Sequence, residues 1–416
     1  MLHLVLADST PATPTSSSSV RYVASDTRAT PRRRATSAVI PSQFRPHVLA
    51  RERLASWTSP YAHETFDVLG RYFPAHVLAR WREVALASVT DDTRKNYGAG
   101  LLRFIQFCDR YGVPEHLRMP ASESLLALFV AEMGAGNVQS GTVQSWLSGL
   151  AMWHQVCGAP WNGGSILART KKGAAAMSSR ILPRRPPRSP VSLPHMTALR
   201  QHLDMSNTFD AAVWAVACAA WRGCCRLGEL LPRDALVFDK QRHMSRGTAW
   251  KEGIASNGHA WLSLFAPFTK TKLFEGDWLV FTATADDINV VDALRHHWAV
   301  NHSVPDDAPM FAYETATGWA TLAKDAFMGR CQEIWVACDL GSVLGHGFRI
   351  GGTTFLLLRG TEPWIVMKQG RWSSKAFLRY WRNVEEILPL FIGNTLDSYD
   401  SLRITVERSV QRMEGN

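Results

Sequence analysis

One stretch of this sequence limits how the rest can fold. Residues 166–192 carry Arg169, Lys171, Lys172, Arg180, Arg184, Arg185 and Arg188 and no acid. The prolines between 183 and 190 hold their neighbours in extended backbone. The stretch is expected to be a basic linker. A chain of 416 residues cut there leaves two pieces long enough for separate cores. Linker cations make sequence-independent, salt-sensitive contacts with phosphate backbone, so Lys171, Lys172, Arg184, Arg185 and Arg188 are candidate DNA contacts. An ordinary solvated linker is the alternative.

Ahead of it, residues 56–165 read as all helix. From Thr93 to Gly112 the apolar positions Tyr97, Leu101, Leu102, Phe104, Ile105 and Phe107 form one stripe, and Lys95, Arg103 and Arg110 take the other face. A second helix, ESLLALFVAEMGAG, opens after Pro120 and Ser122 and stops at glycine. A third runs from Ser140 to Trp153, apolar at Val143, Trp146, Leu147, Leu150 and Trp153. Short helices joined by tight turns predict a small bundle. Residues 1–55 are rich in Ser, Thr, Pro and Arg and are expected to be disordered, because they bury too little apolar area to offset ordering entropy. Within them Arg32, Arg33 and Arg34 read as a nuclear address, a non-specific DNA contact or a solvated charge run. The acid-poor, Arg- and Ser-rich composition also leaves an organelle transit peptide open.

Behind the linker, residues 193–416 form the larger domain. Leu193–Asp204 and Phe209–Trp221 read as helices, the second apolar on nearly every side and therefore buried. Arg246–Lys251, His259–Phe268 and Asp277–Thr284 read as a three-stranded antiparallel sheet. Asp286–His302 returns to helix, and everything beyond Thr321 is expected to be helical. The fold class is mainly α with a small antiparallel β-sheet (α+β). The net charge of +10 suits a polyanionic partner. Seven cysteines without a C-x-x-C pair exclude the usual metal-ligand spacings, and Cys224 and Cys225 read as reduced core thiols in a reducing compartment. No apolar run is long enough to span a membrane. Adjacent His296 and His297 diverge on a helix and read as surface residues rather than a metal pair. No Gly-rich phosphate loop or carboxylate cluster points to ATP or Mg²⁺, so no cofactor, metal or small-molecule substrate is expected.

The chemistry-bearing residues concentrate in 345–382, GHGFRIGGTTFLLLRGTEPWIVMKQGRWSSKAFLRYWR. His346 and Arg349 form an H-x-x-R pair opening an apolar helix. Trp372 follows in a turn-like GRWSS segment, and Tyr380 sits in what reads as a second amphipathic helix, KAFLRYWRNV. A phenol is a weak nucleophile until cations lower the cost of its phenolate. Guanidinium and imidazole donors stabilise charge developing on phosphate oxygens. Arg226, just past the buried helix, has Glu229 three residues on, and that carboxylate can orient it. Lys270 lies between the second and third strands, where a lysine can protonate a departing oxygen; Lys272 competes for that role. Each pattern alone also fits a structural role: an Arg–Glu ion pair, an exposed hairpin lysine, a core aromatic.

Together, and in this order, these segments resemble the tyrosine recombinases, or phage-integrase family, over about residues 80–395. The G-H-x-F-R-I-G-G-T-T segment is similar to that of crypton-like recombinases of fungal mobile elements. The resemblance implies a helical (SAM-like) core-binding domain clamped over DNA, followed by a catalytic domain. It implies Tyr380 as nucleophile, and Arg226, His346, Arg349 and Trp372 as stabilisers of the transition state. Lys270 would be the general acid and Glu229 an orienting group. It further implies double-stranded DNA as partner, self-association as a tetramer, action in DNA integration and recombination, and location in the nucleus. Tyr380 lies eight positions after Trp372, where the family usually shows nine, so a shortened loop is expected. Tyr399 lies too far from GRWSS to fit. A type IB topoisomerase, an inactive recombinase-derived DNA-binding protein and a metal-dependent nuclease are the rival readings, the last disfavoured by the missing carboxylates.

Overall fold

The computed structural model describes residues 39–183, 186–270, 272 and 275–393. Arg32, Arg33, Arg34, Arg184, Arg185 and Tyr399 lie outside the described residues. The chain divides into two compact units between residues 185 and 186.

The first unit is helical throughout: Arg53–Ser56 (α1), Pro60–Gly70 (α2), Ala75–Ala87 (α3), Asp91–Arg110 (α4), Glu115–Arg118 (α5), Glu123–Gly134 (α6), Ser140–Val156 (α7) and Ser165–Ile181 (α8). The expected stripe of α4 is the buried one, with Leu101, Phe104, Ile105 and Cys108 packed against α7. Side-chain caps begin the helices where the sequence offers Ser or Thr. Ser59 accepts from the Ala62 N–H and Ser122 from the Leu125 N–H, caps of the kind that contribute about 1 kcal/mol each.

Two expectations change here. Of the segment expected to be disordered, residues 39–55 are folded onto the bundle: Leu54 is fully buried, and Arg45 is buried against Glu115. Most of the expected linker is helix α8. Its cations occupy the open side, while Leu167, Ala174 and Ser178 face α6. Glu123 accepts from the Leu167 N–H in its first turn, and Ser178 accepts from the Gly136 N–H near its end.

The second unit contains Leu193–His202 (α9), Thr208–Arg222 (α10) and Leu227–Leu230 (α11). These are followed by strands Trp250–Ile254 (β1), Ala260–Ala266 (β2) and Asp277–Thr282 (β3). Then come Val290–Val300 (α12), Tyr313–Thr315 (β4), Gly318–Ala320 (β5), Lys324–Ala337 (α13), His346–Leu358 (α14) and Pro363–Gln369 (α15). Helix α10 is the core of the unit, buried from Asp210 to Trp221. The sheet is antiparallel in the order β1-β2-β3, with Leu264 opposite Leu279; Leu262, Leu264, Leu279 and Phe281 point inward at alternate positions. The β4–β5 hairpin was not anticipated. Strand β1 begins at Trp250 rather than Arg246.

His297 corrects another expectation. It is fully buried rather than at the surface, bonded through its ring to the Met310 carbonyl and Asn301, and burial drives its pKa down to about 3. His296 is exposed and reaches the Met205 carbonyl. Among the described residues no helix is long and apolar enough to cross a membrane, and no group of three potential metal ligands occurs.

Helix α14 lies against α10 at a separation only glycine permits. A Cβ on Gly351 would meet the Val191 carbonyl oxygen at 1.8 Å, and one on Gly352 would meet the Trp221 carbonyl oxygen at 1.8 Å. The paired glycines of GHGFRIGGTT therefore set the depth at which His346 and Arg349 sit.

Candidate active site

Arg349 is fully buried on the first turn of α14. Its Nη1 donates to the Cys224 carbonyl, and its Nη2 donates to the Gly370 carbonyl at 2.6 Å. Its guanidinium stacks on Trp372 at 3.8 Å from the ring centroid, close enough for a cation–π contact. Its Nε is buried without a partner. Burial first, then the charge of Arg226, pulls its pKa down to about 10. Holding a cation out of water without a carboxylate partner costs several kcal/mol, which points to a use for the charge.

Arg226 stands at the start of α11. Its Nη1 donates to Glu229 Oε1 at 2.7 Å, and its backbone N–H donates to Glu229 Oε2 at 2.8 Å, so the expected orienting pair is formed. The same Oε2 accepts from Arg371 Nη2 at 2.6 Å. Glu229 is buried. Burial raises its pKa, but Arg371, then the Arg226 N–H and charge, outweigh it and hold the carboxyl below its usual range. Arg371 was not singled out from the sequence. Only its place beside Trp372 in GRWSS marked it.

Two non-glycine residues in this cluster are left-handed, Cys224 at φ 46° and Arg371 at φ 59°. Each such residue costs on the order of 1–3 kcal/mol, so their coincidence at the arginines is a functional signal. The twist at Cys224 presents its carbonyl to Arg349. The twist at Arg371 sends adjacent side chains to different targets, Arg371 to Glu229 and Trp372 to Arg349. Gly370 has no room for a side chain, since a Cβ would lie 1.8 Å from the Trp372 ring.

Tyr380 ends a 3-10 helix, Lys375–Tyr380, rather than lying inside an α-helix. Phe377 and Tyr380, three residues apart, share one face at 3.0 residues per turn, and both rings pack on Trp372. The Tyr380 ring centroid is 4.9 Å from that of Trp372 and 5.7 Å from the Arg349 guanidinium carbon. Its hydroxyl is 3.1 Å from His346 Nε2. Burial, then the charges of Arg188, Arg349, Arg226 and Lys270, lower the His346 pKa to about 4. His346 is therefore neutral near pH 7, and the Tyr380 O–H donates to it. The eight-residue spacing from Trp372 thus still delivers the phenol to the histidine.

Lys270 is exposed at the turn between β2 and β3 and has no carboxylate partner among the described residues. Its rival Lys272 is tied to Asp277 at 3.0 Å. Of the remaining candidate contacts, Arg188 belongs to this unit and is the charge that most lowers the His346 pKa. Lys171 and Lys172 are on α8 of the first unit, lining a hollow of about 400 Å³ with Ser140 and Gln144 of α7. The structure thus forms two contact sets, Arg226–Glu229–Arg371 and Arg349–Trp372–Tyr380–His346, which meet through the adjacent residues Arg371 and Trp372.

No family model and no curated protein matches this chain. Among solved structures it is similar to the XerH site-specific recombinase bound to palindromic difH substrate in a post-cleavage complex. The two share 12% identity with a TM-score of 0.48, over 85% of this chain and 93% of that one. It is also similar to a lambda integrase dimer bound to a COC′ core site, with 12% identity and a TM-score of 0.44 over 74% and 94%. A Flp recombinase–Holliday junction complex matches at 11% identity and a TM-score of 0.31, over 66% and 77%. At these values the likeness carries no functional weight, and what the site can do follows from its residues.

Proposed function

We propose that this chain is a tyrosine recombinase, a DNA strand transferase working through a 3′-phosphotyrosyl intermediate. The observation that carries the reading is a tyrosine hydroxyl held by a neutral histidine beside three guanidiniums, two of which share one carboxylate while the third, Arg349, has none. That cluster suits a phosphodiester. Tyr380 gives its proton to His346 Nε2, and the phenolate oxygen attacks the scissile phosphorus. Arg226 and Arg349 hold the non-bridging oxygens as negative charge develops. Trp372 keeps the Arg349 plane and the tyrosine ring in place. The bond to the 5′-oxygen breaks, and Lys270 supplies the proton that this oxygen takes up. A 5′-hydroxyl from another strand reverses the step, so no nucleotide cofactor is used.

Double-stranded DNA is the proposed partner, engaged also through Lys171, Lys172 and Arg188. The G-H-x-F-R-I-G-G-T-T segment favours a crypton-like element, and by the same resemblance the proposed enzyme acts as a tetramer in a nucleus. The test uses a pool of nicked duplexes with a randomised core, which traps the covalent protein–DNA product. The wild-type protein is expected to form it. Tyr380→Phe is expected to bind the pool equally well and form none, and Tyr399→Phe to form it normally. An adduct persisting in Tyr380→Phe removes Tyr380 as the nucleophile.

A further inference from the structure

Glu229 is the only carboxylate among the described residues that pairs with any of the three arginines of the site, and it meets Arg226 and Arg371 but not Arg349. A buried carboxylate 2.7 Å from Arg226 orients that side chain, but it also cancels its charge. Alone, the pair would be close to neutral and a weak holder of phosphate. Arg371 changes this balance. Its Nη2 lies 2.6 Å from Glu229 Oε2, while its Nη1 is held by the Gln369 carbonyl at 3.0 Å, within a side chain that is 8% exposed.

Resting on the strand-transfer reading, we propose that Arg371 is a positioning residue that takes up the charge of Glu229 and so leaves the charge of Arg226 to the phosphate. It touches no reacting atom and works through Glu229. Three features separate this from an ordinary structural clamp. The guanidiniums of Arg371 and Arg226 use opposite oxygens of one carboxylate, so neither displaces the other. The backbone adopts a left-handed conformation at a non-glycine residue to make the contact. Finally, the carboxylate stays below its usual pKa although it is buried, with Arg371 the foremost of the groups that hold it there.

The experiment compares Arg371→Met, Arg371→Lys and the double variant Glu229→Gln/Arg371→Met. The readouts are the rate of adduct formation on the nicked pool and the slope of log affinity against log salt for duplex DNA. Arg371→Met leaves Glu229 to neutralise Arg226. It is expected to slow adduct formation about 100-fold, the loss typical of one charge-stabilising donor. It is also expected to reduce the salt slope by about one phosphate contact. Arg371→Lys falls between it and wild type, because the charge stays but the fork is lost. The double variant removes one charge of each sign and is expected to recover about 10-fold of the rate, together with the salt slope. A clamp that served only packing would leave the double variant at least as impaired as the single one, which would overturn the proposal. So would an unchanged rate and slope in Arg371→Met. If the wild-type protein forms no adduct, strand transfer itself falls, and the salt slope still decides the role of Arg371.

Discussion

Each unit buries a cluster of arginines, and the two clusters are balanced differently. In the first unit Arg118 meets Asp109 at 2.6 Å and Glu115 at 3.7 Å, and Arg45 meets Glu115, so two cations face two carboxylates. In the second unit Arg226 and Arg371 share Glu229, and Arg349 beside them has no carboxylate partner among the described residues, so three cations stand against one carboxylate. The balanced cluster does structural work. It ties residues 39–45 to α4 and α5, helped by the Ile40 N–H donating to Asp109 at 2.9 Å. The unbalanced one is held together at a cost and carries a net positive charge that suits an anion. The sign and size of the residual charge distinguish a buried ion pair from a binding site better than burial does.

The comparison breaks most sharply at Arg118. Arg118→Met strands Asp109 and Glu115 beside a single cation and is expected to destabilise the protein by about 3–5 kcal/mol in urea unfolding. A loss under about 1 kcal/mol would mean that the first cluster behaves like a surface pair. Arg349→Met should show the opposite profile. Its lost carbonyl bonds are offset by removal of a desolvated charge, so a stability loss of about 1–2 kcal/mol is expected. Adduct formation should fall about 10²–10³-fold. Equal stability losses in the two variants would erase the distinction between the clusters.

The smallest effect concerns His346. Its pKa is lowered to about 4, so the folded protein binds fewer protons than the unfolded chain between about pH 6.5 and 4. Stability is expected to decline as pH falls through that window. In the DNA-free protein the ring should stay neutral down to about pH 4, read from its NMR shifts. Titration near 6.5 would show that neither burial nor the surrounding cations act on it.

Much of this was legible because it is local. The stripe of α4, the Ser122 cap, the nearly all-apolar α10 and the Arg226–Glu229 spacing all follow from residues within a few turns of each other. Helix α8 was hidden because its buried face is narrow and partly small or polar, so cations and the following prolines dominated the reading. Tyr380 was found through its neighbours, but not its 3-10 geometry, which depends on two rings settling on Trp372. His297 satisfies its ring on residues at the end of its own helix and beyond, and adjacent histidines give no hint of that. Arg371 was missed because a left-handed residue aims its side chain by backbone twist, which residue spacing does not record.

The glycine pair in α14 divides the site into an anvil and a hammer. With Gly351 and Gly352 seated on the backbone of Val191 and Trp221, α14 cannot slide along α10 without collision, so His346 and Arg349 move only with the body of the unit. The tyrosine has no such restraint. It rides on six residues of 3-10 helix whose Phe377 and Tyr380 pack in one small apolar cluster with Cys224 and Trp372. Under the strand-transfer reading proposed above, any adjustment to an arriving phosphate would fall to Tyr380, swinging about Trp372 while Arg226 and Arg349 keep still.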